Sequence, residues 1–340
     1  MMMAAAGRTS TIHVLSVIPR LSHLLRLKLP HVEVVEVKLP GNADGRFLKN
    51  VEEEVDLQEA QVLLADFDLL LQVTDRLPQL QWVQGTWAGV EYMVDHYKDK
   101  PKPSYPVTRM TSEHFSQLMA EYIVGWIIFH ERSWLASLQY QRKSEWVQKD
   151  IIINYRSLCE MTVGILGMGK IGKEVAKSLK AFSTRVQAFT RTAPSEGDEC
   201  NSVDKYWHTG ELPLFLQECD YIVNIMPSTP ATRGMLGSDT LEKAKKDAVF
   251  INVGRGDVIS EEDLVKALDS GWISAAILDV FSKEPLPKES LLWQHPKVMV
   301  TPHTSCPSRA EDVSSAFVDN FTRYTQGLPV LNIIDWNTGY

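Results

Sequence analysis

"TVGILGMGKIGKEVAKSL", residues 162–179, is the stretch that decides the fold of this chain. An apolar run leads into G-x-G-x-x-G at Gly167, Gly169 and Gly172, and an amphipathic helix pattern follows. In this context the first glycine allows a tight turn, the second lets the backbone approach a diphosphate, and the third lets helix and strand pack closely. The free N–H groups at the start of the helix favour the diphosphate charge. The stretch therefore predicts a dinucleotide-binding loop.

Apolar runs rich in Val and Ile continue on both sides of this loop and alternate with amphipathic stretches, a pattern typical of parallel α/β sheets. The strands predicted before the loop are "TIHVLSV" (11–17), "VEVVEVK" (32–38), "LLLQV" (69–73) and "LQWVQGT" (80–86). The strands predicted from the loop onward are "MTVGILG" (161–167), "RVQAFTR" (185–191), "DYIVNIMP" (220–227), "AVFINVG" (248–254), "AAILDVF" (275–281) and "KVMVTPH" (297–303). The later six strands, with helices between them, are what a doubly wound nucleotide-binding sheet requires.

Two segments separate the strand series. The Pro-rich stretch "KDKPKPSYPVT" (98–108) is predicted to be a linker. A long helix is predicted over 112–134 with Ser112 as its N-cap, and a last helix over 308–327.

The second strand of the nucleotide-binding unit ends in "RVQAFTRT", residues 185–192. A carboxylate that reads the adenosine 2′-hydroxyl is expected there, but Arg191, nineteen residues after Gly172, stands in its place beside Thr192. A guanidinium pairs with a 2′-phosphate, which an acid would repel. We therefore predict that NADP(H) is preferred and that NAD(H) is possible. The alternative is a surface arginine at a strand end.

Three later strands each end in a polar group, at the edge where α/β proteins bind ligands. These groups are Arg255 in "FINVGRGDVI", Asp279 and Glu284 in "ILDVFSKEPLP", and His303 in "VMVTPHTS". A guanidinium holds a carboxylate bidentately, and an imidazole gives or takes a hydroxyl proton near neutral pH. A carboxylate beside the imidazole favours its charged form. The set predicts a dehydrogenase of 2-oxo or 2-hydroxy acids that requires no metal.

Composition narrows the class of protein. The 340 residues suggest two domains, and 44% hydrophobic with 23% charged residues is typical of a soluble globular protein. The net charge of −8 argues against a nucleic-acid partner. The scattered cysteines favour a reducing compartment. No run is long enough to span a membrane and the N-terminus lacks a secretory pattern, so we predict a cytoplasmic protein; an organellar presequence stays an alternative.

Five ordered motifs make the chain resemble the D-isomer-specific 2-hydroxyacid dehydrogenases over nearly its whole length. They are "GMGKIG", "MPSTPATRG" (226–234), "NVGRGD", "LDVFSKEPLP" and "TPHTS". The resemblance implies catalytic roles for Arg255, Glu284 and His303, with Asp279 contacting the nicotinamide carboxamide. The remaining cofactor contacts that we predict are Lys170, Ile171, Pro227, Thr232, Val253 and Gly254. Within the family, "LMAEYIVGWIIFHER" and Arg191 look most similar to the glyoxylate/hydroxypyruvate reductase-like branch.

The resemblance also implies two doubly wound parallel-sheet domains. The flavodoxin-like substrate domain is expected to be discontinuous, over 10–108 and 306–340, and the Rossmann-type cofactor domain to cover 109–305. In "TWAGVEYM" (86–93), the backbone N–H groups of Ala88, Gly89 and Val90 are expected to face the substrate carboxylate. Trp87 either narrows the pocket towards small substrates or belongs to the core. The loop "GNADGRF" (41–47) also bears on pocket shape.

The function predicted is reduction of a small 2-oxoacid by NADPH to the D-2-hydroxyacid. The alternative from another class is an NAD(H)-sensing interaction protein of the corepressor type, which resembles this family and can keep all three catalytic residues. Formate dehydrogenases are disfavoured because that branch lacks the glutamate supplied here by Glu284. The aromatic arm carrying Trp126, Trp134 and Trp146 favours a homodimer, as is common in the family, although core packing is the alternative.

Overall fold

A computed structural model describes residues 11–39, 57–149, 155–195, 197 and 199–337. Within these residues the strands are β1 (Ile12–Leu15), β2 (Val34–Glu36), β3 (Val62–Ala65), β4 (Trp82–Gly85), β5 (Val107–Thr108), β6 (Thr162–Leu166), β7 (Arg185–Thr190), β8 (Lys205–His208), β9 (Tyr221–Asn224), β10 (Val249–Asn252), β11 (Ala275–Leu278) and β12 (Val298–Val300). The helices are α1 (Leu21–Lys28), α2 (Phe67–Val73), α3 (Glu91–His96), α4 (Glu113–Glu131), α5 (Trp134–Arg142), α6 (Lys170–Lys180), α7 (Leu212–Glu218), α8 (Glu261–Asp269) and α9 (Ala310–Thr325).

Two compact units divide the chain. The first unit comprises Met1–Ser112 and Ser308–Tyr340, and the second comprises Glu113–Pro307. The boundaries of these units lie within a few residues of those predicted from the sequence, at 108 and 305. The first boundary lies later because Arg109 and Met110 donate their N–H groups to the carbonyls of Asn332 and Trp87, all within the first unit.

The sheet of the first unit has the order β2-β1-β3-β4-β5, and all its strands are parallel. This is the 2-1-3-4-5 order of flavodoxin-like folds. The C-terminal segment returns to β5, where the Ile334 N–H donates to the Val107 carbonyl at 2.8 Å. That hydrogen bond is one reason why the tail and the N-terminal segment form one unit.

Two predictions in the first unit were wrong. "LLLQV" is not a strand: residues Phe67–Val73 form α2, and the third strand is Val62–Ala65. A short apolar run does not distinguish a buried strand from a buried helix, and Phe67, Leu70 and Val73 recur at helical spacing on the buried face. The stretch 98–108 is not purely a linker, because it ends in β5.

The sheet of the second unit has the order β12-β11-β10-β9-β6-β7-β8, again all parallel. The six strands predicted here and the fold class of two doubly wound parallel sheets are confirmed. The sequence missed β8, "KYWH", because only Trp207 of its four residues is buried and it lacks the Val and Ile of the inner strands. The order reverses between β6 and β9, which is where such sheets bind dinucleotides.

The second sheet is covered on both faces, and its inner strands are therefore largely apolar. On one face α4 and α6 bring Ile123, Ile127 and Leu179 against Val163 and Ile165. On the other face α7 and α8 contribute the buried side chains Phe215, Leu216, Leu264 and Leu268. Burial of each such Leu, Ile or Phe side chain contributes about 1.5–3 kcal/mol to the free energy of unfolding. No helix in the described part of the chain has the length and apolarity that crossing a membrane requires.

A buried ion pair fixes the end of α4. Glu131 accepts hydrogen bonds from the Arg156 guanidinium, at 2.6 Å from Nη2, and from the Tyr221 hydroxyl at 2.6 Å. Arg156 also contacts Asp247 at 3.1 Å. Burial opposes ionisation of Glu131, but the hydrogen bonds from Arg156 and Tyr221 outweigh it, and the pKa of Glu131 lies below its ordinary value of 4.5. The ionised carboxylate therefore stabilises the fold.

We expect Glu131→Gln to lower the free energy of unfolding by about 3 kcal/mol at neutral pH, because it leaves Arg156 without its buried partner. Since the folded-state pKa is the lower one, this contribution is present above the ordinary pKa and is lost as pH falls through the lowered value. Urea unfolding at pH 7 and at successively lower pH measures it. Glu121→Gln, at an exposed position of the same helix, is the control. Equal losses for the two variants, or a loss independent of pH, would contradict this account.

Candidate active site

The glycine loop lies between β6 and α6. Gly167 has φ +104°, a left-handed conformation that favours glycine, and a Cβ at Gly172 would stand 2.2 Å from the Gly167 carbonyl oxygen. Both glycines are thus required by the protein's own packing. A Cβ at Gly169, in contrast, would meet no heavy atom within 4 Å. The open space before the N-terminus of α6 fits a dinucleotide diphosphate, whose negative charge is favoured by the N-terminal end of a helix.

Two buried asparagines, which the sequence analysis did not single out, shape the neighbouring strand ends. Asn224 and Asn252 are the last residues of β9 and β10, and the Asn224 amide donates to Asn252 Oδ1 at 2.9 Å. Each then binds the turn that follows, with Asn224 accepting from the Met226 N–H and Asn252 from the Gly254 N–H. Two adjacent apolar strands that both end in Asn are the signal that was available in the sequence.

These turns carry several of the predicted cofactor residues. A Cβ at Gly254 would stand 2.7 Å from the Met226 carbonyl oxygen, so the turns pack directly on each other. The Thr232 hydroxyl donates to the Pro227 carbonyl at 2.7 Å and thereby closes the loop after β9. Lys170 and Ile171 open α6, and Val253 is buried beside Gly254. Their contacts with a cofactor stay predictions.

Arg255 follows β10 and is half-buried. Its Nη1 donates to the Gly254 carbonyl at 2.6 Å, and its own carbonyl accepts from the Asn252 side chain at 3.0 Å. Its positive charge is one of the influences that lower the pKa of Glu284. The arginine and glutamate predicted to act together therefore lie close enough to interact electrostatically.

Glu284 and His303 form the central pair of the site. His303 Nδ1 lies 2.7 Å from Glu284 Oε2, and the Phe281 N–H donates to Glu284 Oε1 at 2.9 Å. Burial opposes ionisation, but the bond to His303, the Phe281 N–H and the nearby Arg255 lower the pKa of Glu284 overall. An ionised carboxylate only accepts, so Nδ1 of His303 carries a proton and Nε2 is left to exchange one with a ligand.

Asp279 holds the backbone around His303. The carboxylate is fully buried and accepts from the Thr301 hydroxyl at 2.5 Å and from the N–H groups of Thr304 and Ser305 at 2.8 and 2.9 Å. His303, which lies between these donors, has φ +53° and donates its N–H to the Asp279 carbonyl at 2.9 Å. The predicted contact of Asp279 with the nicotinamide stays a prediction. In the structure its carboxylate contacts Thr301, Thr304 and Ser305, which belong to the loop that carries His303, here called the histidine loop.

Arg191 and Thr192 form an exposed turn after β7. The Thr190 hydroxyl donates to the Thr192 carbonyl at 2.8 Å, and the Thr209 hydroxyl donates to the Arg191 carbonyl at 3.0 Å. The missed strand β8 leads into Thr209, so it supports the turn that carries the arginine. The fixed backbone leaves the guanidinium in solvent at the carboxyl edge of the sheet.

The predicted substrate loop belongs to the first unit. Ala88 and Gly89 are half-buried, and Val90 is buried at the start of α3. Trp87 packs against the core of this unit, which favours the packing alternative for its ring. The loop "GNADGRF" lies outside the described residues. In the part of the chain that is described, no group of three His, Cys, Asp or Glu side chains is placed to hold a metal.

Residues 124–305 match the family model described as D-isomer specific 2-hydroxyacid dehydrogenase, NAD binding domain. The chain belongs to this family. It is thus an oxidoreductase, and the glycine loop, Arg255, Glu284 and His303 all lie within the matched residues.

Solved structures of other family members resemble the whole chain. A D-isomer specific 2-hydroxyacid dehydrogenase family protein from Aeromonas salmonicida is 31% identical with TM-score 0.83, covering 96% of this chain and 99% of that one. A dehydrogenase from Xanthobacter autotrophicus, in complex with NADPH and MES, is 29% identical with TM-score 0.81, covering 98% and 100%. An NADPH-dependent glyoxylate/hydroxypyruvate reductase from Sinorhizobium meliloti, in complex with NADP and sulfate, is 28% identical with TM-score 0.81, covering 97% and 100%.

The open space at Gly169 gives a direct test of the dehydrogenase's cofactor loop. We expect Gly169→Ala to leave the melting temperature unchanged, because the added methyl meets nothing in the protein. We expect the same variant to lower NADPH affinity at least about tenfold, because the methyl occupies the space left for the diphosphate.

Gly172→Ala is the matched comparison. Its methyl collides with the Gly167 carbonyl, so both stability and affinity should fall. Fluorescence titration with NADPH and thermal unfolding separate the two results. Full NADPH affinity in Gly169→Ala would exclude this loop as the diphosphate site.

Proposed function

We propose that this dehydrogenase reduces a small 2-oxoacid of the glyoxylate or hydroxypyruvate type to the D-2-hydroxyacid, using NADPH. The observation that carries the proposal is the 2.7 Å hydrogen bond between His303 and an ionised Glu284, within the electrostatic reach of Arg255. Reductases of this substrate class, such as the one from Sinorhizobium meliloti, support the choice of substrate.

Arg255, His303 and Glu284 have different roles in the proposed reaction. The Arg255 guanidinium binds the substrate carboxylate and polarises the ketone. NADPH, when bound, supplies the hydride. His303 donates a proton from Nε2 to the ketone oxygen and becomes neutral, while Glu284 remains ionised and keeps Nδ1 protonated. The proton then returns to Nε2 from solvent. The backbone N–H groups of Ala88, Gly89 and Val90 are proposed to bind the substrate carboxylate as well.

The choice of NADPH rests on Arg191. This exposed arginine follows β7, at the position where an NAD-binding protein has a ribose-binding carboxylate. Such a carboxylate would repel the 2′-phosphate of NADPH, whereas a guanidinium can bind it. Thr192 is proposed to contribute its hydroxyl to the same phosphate. The Xanthobacter and Sinorhizobium relatives, which were crystallised with NADPH or NADP, support this preference. NADH is proposed as a weaker alternative.

The oligomeric state and compartment are also proposals. Helix α5 exposes Trp134, Leu135 and Leu138, at 48%, 43% and 47% of their surface, and this apolar face is suited to bury itself in a homodimer. The four cysteines, all within the described residues, form no disulfide bond, which supports a reducing compartment such as the cytoplasm. The partner proposed for the site is a small molecule rather than a nucleic acid.

His303→Ala tests the proton donor. We expect turnover of glyoxylate with NADPH to fall at least ~100-fold, because general acid catalysis is lost. NADPH affinity should stay within about twofold of the wild type, since other residues hold the cofactor. His295→Ala, which removes an imidazole just before the amino end of β12, is the control. Unchanged turnover in His303→Ala would remove this residue from the mechanism.

Arg191→Asp tests the choice of cofactor. We expect kcat/KM for NADPH to fall about 10- to 100-fold, because a charge-assisted contact is replaced by repulsion. The value for NADH should hold or rise, because the new carboxylate can accept from the ribose hydroxyl. Arg185→Asp, at the amino end of the same strand, is the control. Equal losses with NADPH and NADH would refute the role of Arg191.

A further inference from the structure

A chain of two hydroxyls leads from α4 to the carboxylate that holds the histidine loop. The Tyr122 hydroxyl lies 2.5 Å from Thr301 Oγ1, and Thr301 Oγ1 lies 2.5 Å from Asp279 Oδ1. Because the Thr301 hydrogen goes to the carboxylate, Tyr122 must be the donor in the first bond. The order of donation is therefore fixed as Tyr122 to Thr301 to Asp279.

The carboxylate at the end of this chain binds the backbone just beyond His303. Asp279 accepts from Thr301 before the histidine and from the Thr304 and Ser305 N–H groups after it. His303 itself has φ +53°, a left-handed conformation that costs free energy in a residue other than glycine. The hydrogen bonds on both sides keep the residue in that conformation.

Helix α4 supports the same loop at a second point. The Cys306 thiol donates to the carbonyl of Phe115 at 3.2 Å. Phe115 and Tyr122 lie seven residues apart, so they share one face of the helix. The loop from Thr301 to Cys306 is thus held at both ends by that face, with His303 between.

The tyrosine is suited to a permanent donor role. Burial, opposed by the hydrogen bond with Thr301, raises the pKa of Tyr122 to about 12. The hydroxyl therefore keeps its proton over the whole working range of the enzyme. Hydrogen bonds in such a chain polarise one another, so the Tyr122 donation strengthens the bond from Thr301 to Asp279.

We propose that Tyr122 is a positioning residue for proton transfer, acting through Thr301 and Asp279 on the backbone of His303. The part of this proposal that concerns proton transfer rests on the proposed function. The part that concerns the stability of the Thr301–Cys306 loop can be tested without a substrate. In the proposed mechanism, neither Tyr122 nor Thr301 contacts the substrate or the cofactor.

Tyr122→Phe removes the donor and keeps the ring. We expect kcat for glyoxylate reduction to fall about five- to tenfold, the effect of losing one hydrogen bond, with NADPH affinity within about twofold of the wild type. The amides of Thr304 and Ser305 should exchange with deuterium at least several-fold faster, as measured on the peptide that covers them. Tyr140→Phe on α5 is the control, and neither quantity should change in it.

Thr301 provides the second arm. Thr301→Val removes the hydroxyl between Tyr122 and Asp279 and should lower kcat at least as much as Tyr122→Phe. Thr301→Ser restores the hydroxyl and should return both kcat and amide exchange to near the wild-type values. A merely structural role for this side chain would not distinguish serine from valine in this way.

The outcomes separate the proposal from the proposed function. Unchanged kcat and unchanged exchange in Tyr122→Phe would overturn the positioning role, as would equal defects in Thr301→Ser and Thr301→Val. If the wild-type protein reduces no 2-oxoacid, the proposed function fails. In that case the exchange rates alone decide whether Tyr122 holds the loop, and unchanged rates would overturn it.

Discussion

The hydrogen bond from His303 to the ionised Glu284 carboxylate is the interaction on which the proposed chemistry of the site depends. It fixes which imidazole nitrogen carries a proton and which one faces a ligand. Two other contacts support this bond: the Phe281 N–H donates to the Glu284 carboxylate, and Asp279 binds the backbone of the loop that carries His303.

The parallel sheet explains why residues far apart in sequence meet here. Parallel strands place all their carboxyl ends at one edge, so the turns after β6, β9, β10 and β11 are neighbours. The buried pair Asn224 and Asn252 then ties the turns after β9 and β10 to each other. The same edge carries Arg191 after β7, where a positive charge replaces the ribose-reading acid.

Much of this arrangement could be predicted from local patterns. The glycine loop, six of the seven strands of the second sheet and the Arg255, Glu284 and His303 set follow from apolar runs that end in polar groups. The misses have different causes. "LLLQV" is a short apolar run that fits a buried strand as well as a buried helix, and β8 was missed because only Trp207 of its four residues is buried. Tyr122 could not be predicted because its partner Thr301 lies 179 residues away.

We propose that these strand ends form an NADPH-dependent 2-oxoacid reductase, and not a site that only senses a dinucleotide. Loss of NADPH absorbance in the presence of a panel of 2-oxoacids, repeated with NADH, measures it directly. We expect turnover of a small 2-oxoacid, faster with NADPH than with NADH at equal cofactor concentration. Tight NADPH binding without oxidation across the whole panel would contradict it.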